Sequence, residues 1–203
     1  MTRRKIATGC RGVAIVAIVL YGSSAHAHLN TTGMGPVYDG LLHFLTSPDD
    51  LVPALALALL GGLRGVAHGR RALFTLPAAW LFGTLVGLTV AFVSTGALWT
   101  SPWFLVMGGL VVADAKLSLP AFTTLAAVLG LAHGYLNGTG MGFSAQTMVA
   151  AAGLASAVFV LVVLVAAFVV RLRARWTRIA VRVGGSWIAA SGLLMLGWSV
   201  RGA

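Results

Sequence analysis

The chain has 203 residues, 59% hydrophobic and 9% charged, with a mean hydropathy of +0.95. Soluble domains are about one quarter charged, so this composition excludes both a free-standing water-soluble globule and a disordered tail. Fourteen basic and four acidic side chains give a formal charge of +10, but the bases stand in short clusters beside apolar runs. That is the pattern of membrane topology signals, not of a nucleic-acid-binding face.

Arg3, Arg4, Lys5 and Arg11 open the chain, residues 12–20 form a short apolar run, and the small-x-small triplet Ala25-His26-Ala27 follows. This layout predicts a secretory signal segment over 1–27, removed after Ala27. Residues 28–203 then form one domain that begins at His28 outside the cytoplasm. The single cysteine, Cys10, excludes an internal disulfide, a CxxC redox pair and a Cys-rich metal site.

The remainder reads as an all-α polytopic membrane bundle. Apolar stretches near 40–62, 73–94, 102–118, 120–136, 147–170 and 179–199 predict six transmembrane helices, each approaching the roughly 20 residues needed to span hydrocarbon. The third and fourth are expected to meet at a tight turn before Pro120. Arg64, Arg70 and Arg71 lie between the first two spans, Lys116 between the third and fourth, and Arg171, Arg173, Arg175 and Arg178 between the last two. Segments 95–101 and 137–146 carry no charge. The positive-inside rule places every basic loop in the cytoplasm and both mature termini in the periplasm of a bacterial inner membrane. Signal removal independently requires the same orientation. Trp99, Trp103 and Trp198 are expected at the outer boundary and Trp176 at the inner one.

No soluble domain remains, and the chain holds no phosphate cradle, no G-x-S-x-G and no H-E-x-x-H, so an enzyme or an ATP-driven pump is not expected. Gly83-x-x-x-Gly87 and Gly130-x-x-x-Gly134 predict close helix packing.

Ionisable groups within a membrane are expensive, which makes the few present candidates for function. The densest cluster is Asp39, His43, Asp49 and Asp50. Asp39, His43 and Asp50 would share a stripe on a continuous helix, but Ser47-Pro48-Asp49-Asp50 reads as an N-cap, a proline at the first helical position and a first turn of acids. A break at Ser47 is therefore predicted, with a short arm over 36–46 and a main helix from Pro48. Imidazole with carboxylates and no thiolate suits nickel, cobalt or zinc. The competing role for Asp49 and Asp50 is simple helix capping. A second site is expected at His133 and Asn137, four residues apart on one face. His133 could instead donate to a carbonyl of a neighbouring helix. His43, Asp50 and His133 are expected to converge on one polar pocket, since unpaired polar groups are costly in hydrocarbon. His28 offers an imidazole and an α-amine as entry ligands. Asp114 is expected to pair with Lys116 or to snorkel inward, and His68 to be solvated.

Leu29-Asn30-Thr31-Thr32-Gly33-Met34-Gly35 and Leu136-Asn137-Gly138-Thr139-Gly140-Met141-Gly142 agree at six of seven positions. Each precedes an inward span, an Arg-rich loop and an outward span, which suggests a parallel internal repeat or a coincidence between two Gly-rich loops.

The combination resembles the HupE/UreJ family of bacterial membrane proteins, which carry a cleaved signal and a first-span motif G-x-x-H-P-x-x-G-x-D-H. Gly40, His43 and Asp49 match it, while Phe44, Ser47 and Asp50 replace its proline, glycine and last histidine. The family's later H-G-x-A-H-G pattern falls on residues 133–138, with Asn137 in place of the second histidine. The resemblance implies permeation of nickel or cobalt as substrate, with no resident cofactor, in connection with metalloenzyme maturation proteins. The competing class is a non-transporting membrane scaffold or assembly factor for a metalloenzyme or respiratory complex. Membrane lipid and a transition-metal ion are the expected partners. His43, Asp49, Asp50 and His133 would form the metal site, and Asp39, Asn137 and His28 would serve its entrance.

Overall fold

The computed structural model describes residues 32–90 and 97–201. They form seven helices: α1 (Pro36–Thr46), α2 (Pro48–Arg64), α3 (Val66–Thr89), α4 (Ala97–Val112), α5 (Leu119–Met141), α6 (Ala145–Val170) and α7 (Arg175–Arg201). No strand occurs among the described residues. The basic start of the chain, the Ala25–Ala27 triplet and His28 lie outside them.

Each expected apolar segment falls on a helix or helix pair, and among the described residues four or five spans meet the length and hydropathy of a membrane crossing. Four helices, α3, α5, α6 and α7, are long and apolar enough to cross a membrane; α1 and α2 make a fifth if the bent pair counts as one span. The remaining apolar helix, α4, is 16 residues long, short of the roughly 20 that span hydrocarbon. Its C-terminal end comes earlier than the sequence suggests. Instead of running to 118, α4 stops at Val112 in a left-handed cap. Asp114 adopts φ 48°, and the Asp114 and Ala115 amides donate back to the Val111 and Leu110 carbonyls. Glycine usually takes this position, and aspartate is among the few other residues that tolerate it.

The break at Ser47 is present. The axes of α1 and α2 differ by 76°, and Pro48 opens α2. The Ser47 side chain makes no capping hydrogen bond, however; its carbonyl accepts from Asp50 and Leu51 instead.

Glycines set the packing. α3 and α5 run parallel, with Leu76 and Trp80 against Gly130, Trp80 and Thr84 against Gly134, and Thr84 and Gly87 against Gly138. A Cβ on Gly83, Gly87, Gly130, Gly134 or Gly138 would come within 3 Å of the backbone of the facing helix. The two GxxxG motifs of the sequence therefore pack against each other, extended by Gly138. α4 and α7 pair antiparallel through Gly108, Gly185 and Gly192, and α6 packs on α1 through Gly40 and Gly153. A core of Phe44, Leu57, Leu60, Leu76, Trp80, Phe122, Leu129, Leu154 and Val158 joins these pairs.

The second copy of the heptapeptide is not a loop. Leu136–Met141 form the last turns of α5, whereas Thr32–Gly35 precede α1 without regular structure. What the copies share is a final glycine at positive φ, Gly35 at 105° and Gly142 at 67°, each just before a helix.

At the end of the bundle where the basic connections meet, Asp114 pairs with Arg64 and, at 3.5 Å, with Arg178. The expected Lys116 partner is thus replaced. Lys116 lies two residues away in a chain that has just reversed at Asp114, while Arg64 and Arg178 reach in from other helices. Arg178 and Arg182 also donate to the Leu63 and Val112 carbonyls, at 3.3 and 2.7 Å. His68 is half-buried rather than solvated, with Nε2 3.1 Å from the Leu117 carbonyl and its ring edge-on to Phe122.

Close approach of α3 and α5 makes opposite outcomes predictable for two glycines. Gly134→Ala forces a methyl into the Trp80 backbone and is expected to destabilise by about 1–3 kcal/mol. Gly184→Ala, on open space, should be neutral or stabilising by up to about 1 kcal/mol. Thermal unfolding in detergent micelles reads both.

Candidate functional site

The first turn of α2 and the middle of α5 meet inside the bundle. Asp50, immediately after the break, has its Oδ1 3.1 Å from Nδ1 of His133. Both side chains are buried, to 8% and 1% exposure. Pro48 and the bend at Ser47 aim this turn inward: Asp49 stays exposed while its neighbour Asp50 is buried.

His133 is enclosed by aromatic rings. Trp80 of α3 lies 5.3 Å from it between ring centres, and Trp103 of α4 lies 5.8 Å away. Phe44 of α1 meets Trp80 edge-on at 5.8 Å. Five of the seven helices therefore contribute to one assembly. The Thr84 hydroxyl donates to the Trp80 carbonyl, holding the Trp80 turn where α3 faces Gly134.

Two polar atoms here are buried without a partner among the described residues: Nε2 of His133 and Nδ2 of Asn137, one turn further along α5. The indole Nε1 of Trp80 is a third. Buried polar atoms are normally satisfied, so such a concentration calls for partners that the described residues do not supply. In the tautomer that carries its proton on Nδ1, His133 donates to the Asp50 carboxylate and Nε2 keeps a lone pair. A carboxylate behind an imidazole is the arrangement that orients histidine metal ligands and raises their basicity.

The other expected site residues are distributed as follows. His43 is buried on α1 but makes no side-chain hydrogen bond or ion pair with any described residue. Its neighbour Phe44 is the residue that reaches Trp80, and consecutive helical positions point about 100° apart. The bend of 76° also dissolves the Asp39–His43–Asp50 stripe expected of a straight helix. Asp39 accepts from the Thr32 amide and hydroxyl, at 2.5 and 2.6 Å, and so ties down the turn before α1. His28 lies outside the described residues. No group of three or more His, Cys, Asp or Glu side chains is close enough to hold one metal ion among the described residues.

Trp80 and Trp103 are the residues that sequence reasoning missed. Trp103 of α4 is half-buried with its ring 5.8 Å from His133, whereas Trp99, Trp176 and Trp198 are exposed. A signal for Trp80 existed. It stands in the middle of an apolar segment, away from the interfaces where tryptophan is usually enriched.

The buried pair carries a stability prediction. His133→Leu leaves the Asp50 carboxylate buried without its partner and is expected to cost about 3–5 kcal/mol, much of it recovered in Asp50→Leu/His133→Leu. Asp49→Asn should stay within about 0.5 kcal/mol. Unfolding midpoints of the three variants in one detergent check this.

Compared with known proteins, residues 16–195 match the model of the family described as HupE / UreJ protein. No curated protein and no solved structure matches the chain.

Proposed function

The chain belongs to the HupE/UreJ family, and from that premise we propose that it carries a divalent transition-metal ion, nickel or cobalt first, from periplasm to cytoplasm across the bacterial inner membrane. The observation that carries this reading is the buried Asp50–His133 pair, whose Nε2 points away from the carboxylate with no partner. In this reading His133 supplies a nitrogen donor, Asp50 orients it, and Asn137 offers an amide oxygen one turn away. His43 and Asp49 complete the site as the ion enters, with Asp39 and His28 on the approach. A few imidazoles among oxygen donors, with no thiolate, bind a borderline ion weakly enough to release it, as transport requires.

The basic connections face the cytoplasm in this proposal, and the signal segment 1–27 is removed. No phosphate cradle is present to use ATP, so the ion moves down its electrochemical gradient or is coupled to protons. An inside-negative potential favours entry by about 2.3 kcal/mol per charge per 100 mV. Released metal would pass to maturation proteins of a metalloenzyme.

Proteoliposomes offered nickel, cobalt, zinc and copper test the proposal. Wild-type vesicles should take up nickel or cobalt. Uptake affinity should fall about 10–100-fold in Asp50→Asn, the scale of losing a partner behind a ligand histidine, and at least as far in His133→Ala. Wild-type vesicles that take up none of the four metals would overturn it. Orientation is checked separately: alkaline phosphatase fused at the C-terminus should be active, and fused after Arg173 inactive.

A further inference from the structure

The arginines of the basic end fall into two groups. Arg64, Arg178 and Arg182 are consumed by Asp114 and by backbone carbonyls. Arg70 and Arg71, in the second turn of α3, are exposed and make no ion pair or hydrogen bond with any described residue. Their charge contributes nothing visible to holding the fold together, yet it is concentrated over two adjoining cavities.

One cavity, of about 350 Å³, is lined by Arg70, Arg71, Phe74, Thr75 and Leu119. The other, of the same volume, is lined by Arg71, Leu119, Pro120, Thr123 and Thr124. Arg71 and Leu119 belong to both, so the two form one groove between the start of α3 and the start of α5. The Thr123 hydroxyl is committed to the Leu119 carbonyl, while those of Thr75 and Thr124 bond to no described residue. Along α3 the groove changes character within one turn. Phe74, three residues after Arg71, is 63% exposed and leans toward Phe159 of α6 at 6.5 Å.

We propose that this groove binds the phosphate headgroup of an anionic membrane phospholipid. Paired guanidinium groups match phosphate oxygens in bidentate geometry, and basic pockets between helices at the cytoplasmic side are suited to such headgroups. The two free hydroxyls add donors for the ester or glycerol oxygens. The exposed Phe74 ring supplies what a soluble anion would not use: an apolar wall one turn from the charge, on a helix that can cross the membrane, where the first acyl carbons follow the headgroup. A lipid held here bridges α3 and α5 at the end opposite to the closest part of their glycine contact.

Purified protein is incorporated into nanodiscs of phosphatidylcholine with a minor fraction of phosphatidylglycerol, and retained lipid is counted by native mass spectrometry. Wild-type protein should retain phosphatidylglycerol in preference to phosphatidylcholine. Arg70→Gln/Arg71→Gln should lose that preference about 30-fold, the effect expected of two arginines near a phosphate. Arg173→Gln/Arg175→Gln, which removes the same charge from another exposed site at this end, should keep it. Arg70→Lys/Arg71→Lys should retain part, and this charge-conserving variant still reads the site should the glutamine variant fold poorly. An equal loss in both glutamine variants would reduce the effect to net charge and overturn the proposal. Full displacement by inorganic phosphate would also overturn it, assigning the groove to a soluble anion. Neither readout depends on metal transport.

Discussion

Helices α3 and α5 lie so close that five glycines are needed between them, and the placement of His133 among the rings follows from that approach. Within a membrane, helices gain little from the hydrophobic effect when they associate, so contact between backbones stands in for it. The same contact fixes register. Gly134 packs against the Trp80 carbonyl of α3, so the preceding side chain, His133, is set beside the indole ring. Because α3 and α5 run parallel, a helix of the opposite direction must connect them. That helix is α4, and it returns with Trp103 on the other side of the imidazole.

The two ends of the bundle handle charge by opposite means. At one end a single acid, Asp114, gathers two arginines from helices far apart in sequence and clamps the connections α2–α3, α4–α5 and α6–α7 near each other. Its left-handed backbone ends α4 at the point where the carboxylate meets Arg64 and Arg178. Nearer the other end, Asp50 is matched with one imidazole in a nearly dry setting. Breaking such a pair is costly because the remaining group cannot be resolvated. The first cluster ties loops together; the second preserves a donor atom in the interior.

Much of this arrangement was legible before any coordinates. Pro48 preceded by serine and followed by two aspartates announces a helix start, and the break is there. The GxxxG spacings identify the faces that touch, although not that the two motifs choose each other. Polar residues too expensive to leave alone had to find partners, and Asp50 and His133 did so across 83 positions of sequence. What stayed hidden depends on angles that spacing does not encode. A bend of 76° decides which acid turns inward, and a one-residue step decides that Phe44 rather than His43 reaches Trp80. The aspartate ending α4 early was unreadable for a similar reason, because Asp114 takes a conformation that sequence statistics give to glycine.

The burial of His133 has a kinetic side. Its Nε2 is buried from solvent, and the Trp80 and Trp103 rings lie against the imidazole. In the proposed transport an ion would not drift onto such an atom along a standing water column; a ring or a helix would first swing aside, and swing back before the next passage. Collective helix motions of that kind occupy microseconds to milliseconds. Throughput would then be counted in openings rather than in collisions: it would saturate at modest concentration, climb steeply with temperature, and show none of the current steps of an open pore.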